Sequence, residues 1–348
     1  ELQANTEKNN DKIKDDLQES ISQAKDVQKA LSDLQRKVAE KKVLSWEEKK
    51  KLQDLLDKQK QLQKKVENIK NQNAQNNEQK NEYTPPNEEM LEKQKQLEEL
   101  FDKVMTPEMK EKYNELQKLL EKMDKDKVQE ALDKMKLDNK DLMKELDRNL
   151  EIFKQMEVEQ KLQQNIDKLN ELAKKEDELA KKSEDKKTDA KDQKEKQDSL
   201  NKRFDELKKD IQDLQKKNSE LEEPKKLDSP EESQKKQDDI KNDMQKSSEQ
   251  LSQNQKKDAA KSQKSAAQKM QQMSDQMQQQ QQQDQQQQEG EDIDKLRGLL
   301  ENILQLSFGQ EALMNEVSKA KTNDPQYYKL NQKQKKLQDD AKMVDDSL

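Results

Sequence analysis

Apolar side chains recur along this sequence at alternating steps of three and four residues, the spacing of helices that carry one apolar stripe. One stripe covers residues 17–38 and a second covers residues 52–69. Residues 45–48 between them match a capping box, in which a serine and the glutamate three residues later each accept a hydrogen bond from the other's backbone amide. We therefore predict two helices in residues 1–80, arranged as a helical hairpin or a kinked coiled coil, and the capping box favours the hairpin.

The single tryptophan, Trp46, stands at the first turn of the second of these helices. A large aromatic side chain at this point can fill the elbow of a helical hairpin or anchor a partner protein. We expect Trp46 to pack in the elbow, and the anchor is the alternative.

A linker and then a wider apolar pattern follow. Residues 71–87 are rich in Asn and Gln and contain two consecutive prolines, so they predict a linker. In residues 88–180 the apolar faces are wider than a coiled-coil seam, which indicates a small helical bundle with more than one neighbour per helix. Within this bundle, one helix is predicted to begin near Asp138 and Asn139.

Residues 181–289 combine a nearly apolar-free start with the cleanest heptad pattern of the chain. Residues 181–199 predict a solvated helix or disorder. Pro224 ends the heptad helix, and Ser229-Pro230 starts another, so we predict an extended antiparallel coiled-coil arm whose Gln-rich end is of low complexity. The heptad stripe is one half of a candidate interaction seam and comprises Leu200, Phe204, Leu207, Ile211, Leu214 and Leu221.

The most apolar helix of the chain lies in residues 292–348 and precedes a last helix that begins at Asp324-Pro325. Its apolar side chains cover more than one face, so it must be buried against something. We expect it to pack, with the last helix, on a bundle of this chain. Self-association, a partner protein or shallow insertion at a membrane surface are the alternatives. The second half of the candidate seam comprises Leu296, Leu299, Leu300, Ile303, Leu304 and Phe308.

Composition supports an all-α fold of extended helical hairpins and coiled coil with a small helical bundle. Of the 348 residues, 42% are charged and only 27% are hydrophobic, whereas an ordinary domain is about 25% charged and 45–50% apolar. With three glycines and six prolines, the chain lacks both the turns of a β-rich fold and the composition of a disordered one. Long, largely exposed helices are the structure that remains.

Candidate chemistry is sparse. The chain has no Cys and no His, which removes thiol nucleophiles, cysteine-bound zinc and the commonest general base. Carboxylate pairs such as Glu88-Glu89 are expected by chance among 77 acidic residues. The net charge of −7, with both signs interspersed, indicates no nucleic-acid face. We predict a non-enzymatic protein with no catalytic residue, no cofactor and no metal.

Several segments resemble one family. The sequence Glu98-Glu99-Leu100-Phe101, the matching helical pattern of residues 116–123 and 145–157, and residues 299–304 are similar to large coiled-coil proteins of Bacteroidota whose function is unknown. Those proteins carry N-terminal transmembrane helices and then a long charged helical region. The resemblance implies an extended domain in the cell envelope, in the periplasm, anchored by segments outside this chain. A cytoplasmic location stays compatible with the residues themselves.

These observations predict a structural interaction module. We expect it to act as a scaffold or spacer in a cell-envelope complex, and to bind protein partners or copies of itself through apolar helix faces. The alternative is a holdase-like periplasmic chaperone that encloses unfolded clients between helical arms. We also expect the chain, which begins at Glu1, to be part of a longer protein.

Overall fold

The fold is all-α, as predicted. A computed structural model describes residues 2–40, 45–83, 85–104, 106, 109, 111–112, 114–115, 117–118, 125–185, 188–319 and 326–345. Within these residues there is no strand. The helices with continuous bounds are α1 (Leu2–Glu40), α2 (Trp46–Tyr83), α3 (Glu88–Val104), α4 (Lys125–Glu184), α5 (Ala190–Ser219), α6 (Pro230–Ser252), α7 (Lys256–Lys319) and α8 (Gln326–Asp345). They form two compact units, residues 1–274 and residues 275–348.

Among the helices with continuous bounds, α1, α2, α3 and the N-terminal part of α4 form an antiparallel four-helix bundle at the start of the first unit, and Met109 adds to its core. The half of α1 nearer its C-terminus shares a hydrophobic core with the beginning of α2 and of α4. Its other half shares a core with the end of α2, with α3 and with the middle of α4. The hairpin in residues 1–80 is therefore formed, and its capping box is present, with the Ser45 amide donating to Glu48 Oε2 over 2.7 Å.

A second four-helix bundle follows in the same unit. It consists of the C-terminal part of α4, α5, α6 and α7 up to Ser274. Hydrogen bonds mark three of its sides: Lys168 Nζ to Asp210 at 2.8 Å, Lys208 Nζ to Asp238 at 2.6 Å and Ser265 Oγ to Asp243 at 2.7 Å. The Ser274 hydroxyl closes the ring by donating to the Ile166 carbonyl, 3.4 Å away. Since α4 has 60 residues, about 90 Å of continuous helix, it belongs to both bundles.

Two predicted helix boundaries are wrong because buried amides replace apolar side chains between helices. Helix α2 continues to Tyr83 through the predicted linker at 71–87, and Asn76 of α2 donates to Asn10 Oδ1 at 2.7 Å. Helix α4 runs unbroken through Asp138-Asn139. There the Asn139 amide donates to the Ala24 carbonyl at 3.0 Å. Asn139, which was predicted to start a helix, therefore forms a hydrogen bond between α4 and α1 instead.

Segments that were predicted to be separate share bundles. Helices from 1–80 and from 88–180 build the first bundle together. The predicted antiparallel pairing of α5 with α6 is confirmed, but the hairpin packs along α4 instead of forming a free arm. Residues 181–199 are also less solvated than expected, because Gln193 and Gln197 are buried among these helices.

The expectation that Trp46 packs in the elbow of the hairpin is wrong, because its side chain is 76% exposed. Leu52, Leu55 and Leu56 already occupy the face of α2 that is turned toward α1. The ring of Trp46 instead lies 5.5 Å from the ammonium group of Lys50, one turn further along the exposed side.

Helix α7 continues through the Gln-rich segment and through Gly290. Glutamine has a high helix propensity, and an isolated glycine lowers helix stability by about 1 kcal/mol without stopping the helix. The start predicted for the last helix at Asp324-Pro325 lies outside the described residues, and α8 is described from Gln326.

Candidate interaction surface

The two halves of the predicted interaction seam lie in different environments. The half on α5 and the turn after it is buried in the second bundle. Phe204, Leu207, Ile211 and Leu214 are each about 1% exposed, and they pack between α4 and α6. This stripe is therefore buried by helices of the same chain, and it leaves no exposed apolar surface for a partner.

The half on α7 belongs to the second unit, and most of it is exposed. Leu296, Leu300, Ile303, Leu304 and Phe308 are between 40% and 65% exposed, whereas Leu299 is half-buried. Within the second unit, the described helix that packs against it is α8, and the expectation that it packs on a bundle of the chain stays a prediction. Three further exposed apolar side chains of the same helix, Ile293, Met314 and Val317, were not included in the predicted seam. We call the complete set the apolar face: Ile293, Leu296, Leu300, Ile303, Leu304, Phe308, Met314 and Val317.

Helix α8 packs on a different side of α7. Leu313 of α7 and Leu330 of α8 are buried, and Lys333 Nζ forms an ion pair with Glu316 Oε2 at 2.6 Å. A methyl group added to Gly309 would come within 2.8 Å of Leu337 Cδ2, so the glycine permits this close helix approach. The α7–α8 hairpin thus uses one stripe of α7 internally and leaves the apolar face uncovered.

A groove runs between the two helices beside the apolar face. Its floor is largely apolar and its rim is polar, with Ile303, Leu306 and Met314 on one side and Leu337 and Ala341 on the other. The two helices differ in charge. Residues 290–319 of α7 carry six carboxylates and three basic side chains, whereas α8 carries five lysines and three aspartates. The surface therefore joins an apolar strip on an acidic helix to the flank of a basic helix.

The two bundles of the first unit are joined by a buried charged cluster. The Glu159 carboxylate lies between Lys93, with which it forms an ion pair, and Lys225, whose Nζ is 3.0 Å away. Burial raises the pKa of Glu159 even against these two lysines. Asn218, the polar residue of the heptad stripe, holds the loop that carries Lys225 through two 2.9 Å hydrogen bonds to its backbone. The cluster thus ties α3, α4 and the α5–α6 loop together.

A polar layer crosses the second bundle, with one residue from each helix. Gln197 of α5 donates to Glu176 of α4 at 2.7 Å and accepts from Ser247 of α6 and Gln263 of α7 at 3.0 and 2.8 Å. Among the described residues, no basic side chain forms a hydrogen bond with the fully buried Glu176, and burial raises the pKa of its carboxyl to about 8. At neutral pH it is therefore mostly an uncharged acid that forms part of the core.

The described residues contain no cluster of acidic side chains arranged to hold a metal ion. In the same part of the chain, no helix has the length and hydropathy needed to cross a bilayer. No protein-family model, curated protein or solved structure matches the sequence. Most of the large apolar side chains that are exposed among the described residues lie on the apolar face of α7.

Proposed function

We propose that this protein is a non-enzymatic helical scaffold that binds a protein helix on the apolar face of α7. The observation that carries the proposal is the contrast between the two units. In the first unit, the apolar stripes of α1 to α6 are buried against one another. In the second, eight large apolar side chains stay exposed on a single helix. Soluble proteins rarely expose apolar patches of more than a few hundred Å² unless the patch binds something.

The first unit has the rigidity that a scaffold needs. Its two bundles share α4 and are tied by the buried Glu159 cluster, so bending between them would separate buried charges from their partners. Leaving one such charge unpaired costs about 3–5 kcal/mol. The first unit is thereby a stiff framework in its own right. The proposal further places it in the cell envelope as part of a membrane-anchored protein, and that placement rests on the family resemblance alone.

The test is site-specific photo-crosslinking of the full chain in the cells that make it. A photoreactive amino acid replaces Leu300 on the apolar face, and in a matched variant it replaces Lys58, an exposed residue of α2. We expect one or a few discrete crosslinked products from position 300 and none of them from position 58.

Two results would contradict the proposal. Equal products at both positions would mean that the apolar face binds nothing in particular. A broad smear of many different proteins at position 300, together with suppressed aggregation of an unfolded outer-membrane protein in vitro, would favour the holdase-like chaperone instead.

A further inference from the structure

The α7–α8 hairpin has too few helices to bury its own apolar residues. Leu313 and Leu330 are its buried large side chains among the described residues, while the eight residues of the apolar face remain exposed. The first unit shows how this chain buries such stripes, since it twice closes a ring of four antiparallel helices. Two hairpins placed face to face would supply the same number of helices.

The exposed area is large enough for a stable pair. Eight side chains of this size, each about half exposed, present roughly 800 Å² per copy, which is the contribution of one partner to a standard protein interface. Because residues 290–319 form one continuous helix, another helix can lie along the strip without meeting a break in the backbone.

Charge indicates what the second helix is. The groove beside the apolar face is flanked on one side by α8, which has an excess of lysines. By helical spacing, Lys335 and Lys342 follow the edge of α8 next to Gln338, which lines the groove. An acidic, apolar-striped helix complements this flank, and α7 itself has that character. The one charged side chain that lines the groove, Glu311, lies on the α7 side, so the complementary charge concerns the lysine edge of α8. A second copy of the chain provides an apolar strip for the apolar face and carboxylates for that edge.

We propose that two copies of the chain associate through their α7–α8 hairpins, with the two α7 helices antiparallel in a two-fold four-helix bundle. This inference rests on the proposed function and specifies its partner. An antiparallel arrangement centred between Leu304 and Leu306 places Ile293 and Leu296 of one copy against Val317 and Met314 of the other. A parallel arrangement would instead place each carboxylate of α7 beside the same carboxylate of the second chain, and these like charges would repel each other.

The mass of the full chain in solution is the first test. We expect a dimer for the wild type by light scattering after gel filtration at micromolar concentration. The double substitution Leu300→Asp and Leu304→Asp buries four charges in the pair, so the dimer dissociation constant should rise by at least about 100-fold. The matched control, Asn302→Asp with Gln305→Asp, adds the same charge at exposed positions off the apolar face and should remain dimeric.

Crosslinking tests the direction, and the absence of native cysteine makes it specific. In an equimolar mixture of Ile293→Cys and Val317→Cys chains, a short bismaleimide should join residue 293 to residue 317. Ile293→Cys alone should give no crosslinked pair, because the two copies of residue 293 would be about 36 Å apart along antiparallel helices.

Three results would overturn the inference: a monomeric or larger wild-type species, a dimer that survives Leu300→Asp with Leu304→Asp, or efficient 293-to-293 crosslinking. A monomeric wild type that still gives a discrete product with another protein at position 300 would remove the second copy as partner. The scaffold function would then stand with a different occupant.

Discussion

Buried polar side chains, more than apolar ones, give the first unit its particular arrangement. Asn76, Asn139 and Gln197 each form hydrogen bonds to a neighbouring helix from a buried position. A shift of one helix by a single turn would leave such an amide unpaired, at a cost of about 1–3 kcal/mol. These residues therefore fix which turns of the helices face one another, whereas leucines alone would tolerate several alignments.

The buried acid Glu176 predicts a pH dependence of stability. Its pKa is about 8 in the folded chain and near 4.5 when exposed, so the unfolded state loses the proton first as pH rises. Stability conferred by the neutral acid is complete below pH 4.5 and declines until pH 8. At pH 7 the loss is about 3 kcal/mol. Glu176→Gln keeps a neutral side chain at every pH and should remove this loss.

Urea unfolding at pH 5.5 and 8.5, followed by circular dichroism, measures the effect. The wild type should lose more stability between these values than Glu176→Gln, and Glu178→Gln, an exposed neighbour, should behave as the wild type. Equal pH dependence in the wild type and Glu176→Gln would show that Glu176 does not titrate as a buried acid.

Among the elements, the helices of the second bundle illustrate what the sequence could and could not predict. The heptad of α5 and the capping box at Ser229 were sufficient to predict an antiparallel α5–α6 pair. They could not show that α4 and α7 complete the ring, because a heptad pattern does not specify which other helices cover its stripe. The buried amides Gln197 and Gln263, which link α5 to α7, also add nothing to a hydrophobic period, so the pattern predicted an exposed arm.

The buried stripe of α5 predicts a selective loss of structure. Leu207→Asp together with Ile211→Asp places two charges in the core of the second bundle, at a cost of more than about 4 kcal/mol. Hydrogen exchange should accelerate in α5, α6 and residues 256–274. The first bundle, whose two apolar clusters contain no α5 residue, should retain its protection in α1 and α2.

The matched control is Glu206→Asp with Lys209→Asp, two exposed positions on the outer side of α5. It should leave exchange unchanged throughout. Unaltered exchange in α5 and α6 of the Leu207→Asp and Ile211→Asp chain would mean that the stripe is not a core.

At the scale of the whole molecule, the few apolar side chains serve differently in the two units. In the first unit each apolar stripe is narrow and is buried by neighbouring helices. In the second unit Leu300, Leu304 and Phe308 stay exposed, whereas Leu313 is buried. The sequence predicted that the helix around these residues needs a partner, because its apolar side chains exceed one face. It could not predict which side α8 covers, which depends on the close approach at Gly309.

Methionine oxidation by dilute peroxide, read residue by residue by mass spectrometry, tests this division most directly. Met244 and Met270 are buried in the first unit, and Met314 lies on the apolar face. In the 348-residue chain carrying Leu300→Asp and Leu304→Asp, which we expect to be monomeric, Met314 should oxidise at least about tenfold faster than Met244 and Met270, because exposure controls thioether oxidation. Comparable rates at the three residues would contradict the account, since they would mean either that the stripes of the first unit are open or that the chain itself covers the apolar face.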